Sequence, residues 1–495
     1  MNVLVVVVDA LRTDRVGAYD GRRVTPTIDE LAAAGTVFER AYSTTNATDP
    51  ALTSLQTGRF PRTHGVLNHG SHVTDEEKRA IEGVTSLPMV LEERGYDTAA
   101  FGRPLGRWHR RGFDRYPELS SAHWRLKSLE KSASSLLYGI HPAIGDTLSR
   151  TYNALTDRTG SDDEDSVVAE FTDFLDESER FYSLVHLMDT HTPYDVDDEL
   201  VERYLDTDEY ENRPLSALAE EFPTGSITAN SLTPGGVVNQ DNERWADHEA
   251  GVGTALARAQ YDAAATEADR TIEGLLEALE DRDLLEETLV VVLADHGESL
   301  GEHEIYFEHH GLYEPTTRIP LVVRPPESDA GVERSSELVS ITDIAPTILD
   351  ALDIPDEQAF DADGQSLRPL LEGESDDWER RESLLLEEAN TQRFRGVRTD
   401  RWKYLRAVED DPTCRYCERP HGASEQLYDL EADPEETENL AEKRSDTLAT
   451  LRDELDDLLA RYDPQTGPSD DTDGDSVEYD DEEEVLDRLE SLGYR

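Results

Sequence analysis

The stretch Asn2-Val3-Leu4-Val5-Val6-Val7-Val8-Asp9 decides how this chain folds. Six apolar, mostly β-branched residues run without a polar break and stop at a carboxylate. Such a run marks a strand buried on both faces, as in a parallel sheet covered by helices; a strand with one wet face would alternate. The run is too short to cross a bilayer, and nothing before it resembles the basic start or cleavage site of a signal peptide. An acid directly after such a strand stands where open α/β sheets gather their ligands, beyond the carboxyl ends of the strands.

Working outward, Thr25-Pro26-Thr27-Ile28-Asp29-Glu30-Leu31 begins a helix with proline near its first position, and Gly35 is placed to end it. A second turn and helix start around Thr48-Asp49-Pro50. Leu87–Arg94 predicts a helix stopped by Gly95 and feeding the strand Thr98–Phe101. Phe181–Leu187 reads as a buried strand, and a long helix, Thr254–Leu279, leads into the strand Leu289–Leu293. Ile319–Val323 is a further strand and Ile341–Leu352 a helix. This alternation predicts an α/β fold, a mainly parallel sheet sandwiched by helices.

After about residue 380 the pattern changes. Short strand candidates (Leu384–Leu386, Gly396–Arg398, Trp402–Leu405, Gln426–Leu430) precede a charged helix at 440–460, which predicts a smaller C-terminal α+β subdomain. The expected organisation is a catalytic domain over 1–380, the subdomain over 381–462, and an acidic linker and tail over 463–495. Segments 115–165 and 195–250 carry few periodic signals and read as surface caps.

The 495 residues include 110 acidic and 47 basic ones, a net charge of −63. Only five of the basic residues are lysines: Lys78, Lys127, Lys131, Lys403 and Lys443. A chain so charged repels itself in dilute buffer, whereas in molar salt the Debye length falls to about 3 Å and the repulsion is screened. We read this as adaptation to the salty cytoplasm of a halophile. No basic patch is present, so a nucleic-acid partner is excluded. Cys414 and Cys417 are the only cysteines, which fits a reducing, cytoplasmic setting without a disulfide framework. Cys414-Arg415-Tyr416-Cys417, with His421 nearby, has the spacing of half a zinc site; two structural thiols are the other reading.

Four distant segments bring polar groups to strand ends or helix starts. They are Asp9, Thr48 with Pro50 two residues on, Asp189 with His191, and Asp295-His296-Gly297-Glu298. Any one of these reads as a cap or turn residue. Together they predict one converging site.

On these and neighbouring residues the chain resembles the sulfatase family of the alkaline phosphatase superfamily. The likeness is carried by Val7-Val8-Asp9-Ala10-Leu11-Arg12, by Leu55-Gln56-Thr57-Gly58-Arg59-Phe60-Pro61 with His64-Gly65-Val66, and by His191-Thr192-Pro193-Tyr194. It continues through Ala294-Asp295-His296-Gly297-Glu298, Leu312-Tyr313-Glu314 with Arg318-Ile319-Pro320-Leu321, Val397-Arg398-Thr399-Asp400-Arg401-Trp402-Lys403-Tyr404 and Leu427-Tyr428-Asp429-Leu430. The resemblance implies a divalent cation (Ca, Mg, Mn or Zn) held by Asp9, Asp295 and His296 beside Thr48. It also implies catalytic or anion-binding roles for Thr48, His191, His309, His310 and Arg103, with Trp108-His109 as a possible share of the Arg103 role; His109 reads equally as a surface residue.

Several positions depart from the family pattern. Ala10 replaces a second acid, and His309 stands where a lysine is usual. Thr48 occupies the place of the cysteine or serine that becomes formylglycine, and Leu52 that of the supporting arginine. Threonine there is similar to phosphodiesterases and phosphoethanolamine transferases. The expected activity is therefore hydrolysis of a small-molecule or glycan sulfate or phosphate ester, phosphate slightly favoured. A phosphoryl-group transferase and a non-catalytic anion-binding relative, with Thr48 only a helix cap, are the alternatives.

Overall fold

The computed structural model describes residues 1–19, 21–103, 107–117, 164–192, 194, 196–205, 252–326, 333–355, 361–389, 393–409, 412–414 and 420–462. The caps expected at 115–165 and 195–250 lie largely outside these residues, and Cys417 and the tail at 463–495 wholly so.

In chain order the strands are β1 (Asn2–Val8), β2 (Thr36–Tyr42), β3 (Asp97–Gly102), β4 (Phe181–Leu187), β5 (Thr288–Leu293), β6 (Ser299–Leu300) and β7 (Tyr306–Glu308). They continue as β8 (Arg318–Ile319), β9 (Leu321–Arg324), β10 (Glu333–Ser340), β11 (Ser383–Glu387), β12 (Phe394–Thr399), β13 (Trp402–Ala407) and β14 (Glu425–Asp429). Among the described residues the main sheet runs β10-β2-β9-β5-β1-β4-β3, with β8 paired to β2. It is mainly parallel: β3, β4, β1 and β5 all run the same way, and β10 runs parallel to β2. Only β9 and the short β8 are antiparallel to their neighbours.

Every residue of β1, β4 and β5 is buried, so both faces of the sheet centre are covered. The covering helices are α1 (Pro26–Ala33), α2 (Thr48–Thr57), α3 (Leu87–Glu92), α4 (Glu164–Glu177), α5 (Val252–Glu280) and α6 (Ile344–Ala351). They form two packed groups, α1 with α4 and α5, and α2 with α3 and α6. Burial of each valine, leucine or isoleucine of the shared core is worth about 1.5–3 kcal/mol. The start of α1 is capped from another element: Asp269 of α5 accepts the N–H groups of Thr27 and Ile28, each at 2.9 Å.

The second sheet, β11-β12-β13-β14, is antiparallel throughout. Against it lies α7 (Ser445–Arg461), which turns Leu448, Leu451, Leu455 and Leu458 inward at helical spacing. Tyr42 of β2 and Leu338 of β10 belong to the same apolar cluster, so the subdomain packs directly on the edge of the main sheet.

Candidate active site

Strands β1 and β5 are parallel neighbours with Val7 opposite Leu293, which sets Asp9 and Asp295 side by side just past the two strand ends. Their loops are interlocked. The Ala10 N–H donates to Asp295 Oδ1 at 3.1 Å, from a left-handed backbone conformation (φ 60°). The Tyr261 hydroxyl of α5 donates to Ala10 O at 2.6 Å and accepts the Arg12 N–H at 3.0 Å. The Asp9 N–H donates to Leu187 O of β4 at 2.8 Å.

Thr48 is the first residue of α2. The cap position belongs to Ala47, whose side chain makes no capping bond. The Thr48 hydroxyl instead turns into the cluster, donating to Asp9 Oδ2 at 3.2 Å and lying 3.3 Å from His296 Nε2. His296 donates Nδ1–H to Gly297 O at 2.9 Å, which leaves its Nε2 lone pair facing Thr48 and both aspartates. A Cβ at Gly297 would come within 2.0 Å of Pro315 O, so the tight turn behind His296 requires glycine. Asp9, Thr48, Asp295 and His296 are all essentially inaccessible to solvent.

His186 belongs to the same cluster although its motif gave no warning. It sits in β4 opposite Val7, its Nε2 3.2 Å from Asp9 Oδ2 and its Nδ1 3.4 Å from Arg103 O. Burial alone would lower its pKa, but the hydrogen bond and charge of Asp9 outweigh burial and raise it. Asp9 shows the reverse balance. Burial would raise it, yet the His186 hydrogen bond, together with the imidazoles around it, holds it far below the usual carboxylate range. Asp295 is pushed up, first by burial and then by the charge of Asp9.

His191 lies at the margin of the cluster, its Nδ1–H donating to Thr192 O at 2.5 Å, and burial lowers its pKa. The half-buried His309 ring stands 4.6 Å from that of His296 and 6.2 Å from that of His191, centroid to centroid. Its carbonyl accepts the Asn46 side chain at 2.7 Å. His310 is turned elsewhere: Nδ1 lies 3.5 Å from Cys414 Sγ and Nε2 3.7 Å from Glu308. Arg103 follows β3, and its backbone N–H donates to His186 O at 3.0 Å, which ties its chain to the rim of the cluster.

A second ring of residues, in which His69 was silent in the sequence, fixes the start of α2. Asp49 pairs with His69 Nδ1 at 2.9 Å and His109 Nε2 at 3.1 Å and accepts the Gly70 N–H at 2.8 Å. Burial would raise Asp49, but these histidines hold it far below its ordinary range. His109 is thus a buried partner of Asp49, and its reading as a surface residue is corrected. His64, hydrogen-bonded to Ser54 Oγ at 3.1 Å, is pushed down to about 3 by burial. Buried polar partners of this kind could have been suspected only from polar residues interrupting otherwise buried elements.

The donor set suits a divalent cation. Asp9 Oδ1 and Asp295 Oδ2 are buried carboxylate oxygens with no hydrogen-bond partner among the described residues, and an orphaned buried charge calls for a counter-ion. Donor atoms of Asp9, His186 and Asp295 lie within 4.8 Å of one another. Two carboxylates with one or two imidazoles accommodate Mg, Ca, Mn or Zn.

Comparison with known proteins identifies the family and the fold. Residues 1–354 match the Sulfatase family, and residues 301–463 match the C-terminal region of N-sulphoglucosamine sulphohydrolase. An N-acetylglucosamine-6-O-sulfatase of Bacteroides thetaiotaomicron is 23% identical over 89% of this chain and 82% of its own length. The fold is shared with a solved 2-O GAG sulfatase (TM-score 0.65, 23% identity, covering 93% of this chain and 92% of that one). It is shared equally with the phosphonate monoester hydrolase of Agrobacterium radiobacter (TM-score 0.64, 21% identity, 93% and 96% covered). With a family match over most of its length and the matching α/β architecture, this chain belongs to the sulfatase family of ester hydrolases.

Proposed function

We propose that this chain hydrolyses a phosphate or sulfate ester, with phosphate favoured, through Thr48 as a covalent nucleophile. The observation that carries the reading is the Thr48 hydroxyl, released from any capping duty and set 3.2 Å from Asp9 and 3.3 Å from His296. Asp9, Asp295 and His296 would hold the cation, with His186 as counter-charge or further donor. A divalent cation held there supplies a Lewis acid that lets a hydroxyl ionise near neutral pH and offsets charge on the ester oxygens.

The chain's own groups do the rest. The Thr48 oxygen bonds to phosphorus as the bond to the leaving oxygen breaks, and the proton Thr48 loses is passed to the leaving alcohol. Water then attacks phosphorus, the bond to Thr48 breaks, and a proton from water returns to the Thr48 oxygen. His191 and His309 are the relays. Burial lowers the pKa of both, so they are neutral imidazoles able to take a proton and return it. The helix start at α2 favours the anion, and Arg103 adds a cationic clamp at the rim.

Threonine cannot form the aldehyde hydrate that expels sulfate, and Leu52, the substitute for the arginine of that chemistry, is wholly buried in the core. This supports the phosphate preference. Transfer to an acceptor alcohol remains a variation of the second step. Among the described residues no helix is long and apolar enough to cross a membrane. The acidic, lysine-poor composition supports a salt-rich cytoplasm as the setting.

The test is a panel of aryl phosphate monoesters and diesters, phosphonates and sulfates in molar KCl with Mg, Ca, Mn or Zn. Phosphorus esters should turn over best, and Thr48→Ala should lose at least three orders of magnitude in kcat, about 4 kcal/mol. Turnover of sulfate alone, or a Thr48→Ala chain within tenfold of the parent, rejects the mechanism.

A further inference from the structure

We propose that His310, Cys414 and His421 form a second metal site, suited to zinc or another thiolate-binding divalent cation, that clasps the C-terminal subdomain to the loop carrying His309. All three side chains are buried, and their donor atoms lie within 4.8 Å of one another. They come from separate places: the loop after β7, and the residues that follow each side of the antiparallel bridge between Thr413 and Pro420.

Distance and chemistry agree. A tetrahedral zinc with bonds of about 2.3 Å to sulfur and about 2.05 Å to nitrogen holds those two atoms about 3.5 Å apart. His310 Nδ1 and Cys414 Sγ are 3.5 Å apart. The outer partners also suit ligands. His310 presents its other nitrogen to Glu308 at 3.7 Å, and His421 donates Nδ1–H to His303 O at 3.4 Å, which makes Nε2 its lone-pair nitrogen. Carboxylate or carbonyl partners on the far nitrogen set the tautomer of metal-bound histidines. The Tyr313 hydroxyl further anchors the His421 carbonyl at 2.7 Å.

A sulfur and two imidazoles form a soft donor set, unlike the oxygen-rich pair Asp9 and Asp295, so the two sites select different ions. On binding, the Cys414 thiol releases its proton to solvent and the thiolate bonds to the cation, with no change of oxidation state. The consequence reaches the active site through one peptide bond. His310 follows His309, and the Gly311 N–H is held by Glu388 Oε1 at 2.9 Å. Fixing His310 to the subdomain fixes the ring that stands 4.6 Å from His296.

The experiment uses full-length protein in molar KCl, stripped with a chelator and titrated with Co²⁺. One equivalent should produce a thiolate-to-cobalt charge-transfer band, and Zn²⁺ should displace it. Cys414→Ser should abolish the band while the near-ultraviolet circular dichroism stays native, and His421→Gln should weaken the site at least 100-fold. Asp9→Asn should leave the band in place. A titration with no charge-transfer band, as a plain thiol–imidazole hydrogen bond would give, overturns the proposal, as does a band that survives Cys414→Ser. Should Cys414→Ser fail to fold, the His421→Gln titration decides alone, and unchanged affinity there is a refutation.

Discussion

Lys403 of β13 has no solvent exposure at all, and its ammonium sits between Glu314 Oε1 at 2.8 Å and Glu436 Oε1 at 2.9 Å. Glu314 also accepts the Tyr42 hydroxyl at 2.8 Å and Arg398 Nε at 3.2 Å, and its backbone N–H donates to Glu436 Oε2 at 2.6 Å. This cluster joins the main sheet to the subdomain. Replacing Lys403 with methionine keeps the stem but removes the charge between two buried carboxylates; Glu314 keeps Arg398, whereas Glu436 loses the cation that faces it, which costs about 3–5 kcal/mol. Glu314 is held low despite its burial, by Lys403 and Arg398, whereas burial pushes Glu436 up to about 7. Because the folded-state pKa of Glu436 is above its ordinary 4.5, its proton uptake favours the fold fully below pH 4.5, and that gain is lost as pH rises through 7. Without Lys403 the carboxylate is raised further, so the penalty grows towards alkaline pH by up to about 1.4 kcal/mol per unit. Urea unfolding in molar KCl should show Lys403→Met losing several kcal/mol at pH 8 and clearly less at pH 6. The pair Lys403→Met with Glu436→Gln should recover about 1–2 kcal/mol at pH 8. A single-variant loss below about 1 kcal/mol, the same loss at both pH values, or strict additivity would refute the reasoning.

Two further outcomes are expected. Asp295→Asn keeps an acceptor for the N–H groups of Ala10 and His296 but removes the charge, so divalent-metal affinity measured by calorimetry should fall at least tenfold; unchanged affinity would move the cation site elsewhere. Lowering KCl from about 3 M to about 0.1 M lengthens the Debye screening from a few Å to about 10 Å, and the thermal midpoint should fall because the −63 charge is no longer screened. An equal midpoint in both buffers would dismiss the halophilic reading.

Elements with one dominant signal were legible from the chain alone. The valine run of β1, the Phe181–Leu187 strand and the leucine-spaced α7 each announce their environment, because burial on both faces or on one stripe dictates residue type. Strands β2 and β10 escaped: Thr36–Tyr42 carries the half-buried Glu39 and Arg40 mid-strand, and Glu333–Ser340 is polar over half its length, as the sheet edge that β10 forms allows. The predicted strand Ile319–Val323 divides at Pro320, which lacks a donor, into β8 and β9. Its antiparallel direction could not be read locally, since strand direction depends on where the connecting chain returns.

By itself the sequence determined the class of fold, the carboxylates and imidazole at the ends of β1 and β5, and the family resemblance. Each of these is written in residues that are close in the chain. Tertiary structure alone decided that Thr48 faces Asp9 rather than capping α2, that His186 completes the charge balance, and that Asp49 is held by His69 and His109. It also decided that His310 turns to Cys414 and His421, more than 100 residues away. The reason is physical. A side chain's role in a buried site is set by distance and the absence of water, and both arise only when segments remote in sequence close around the same few ångströms.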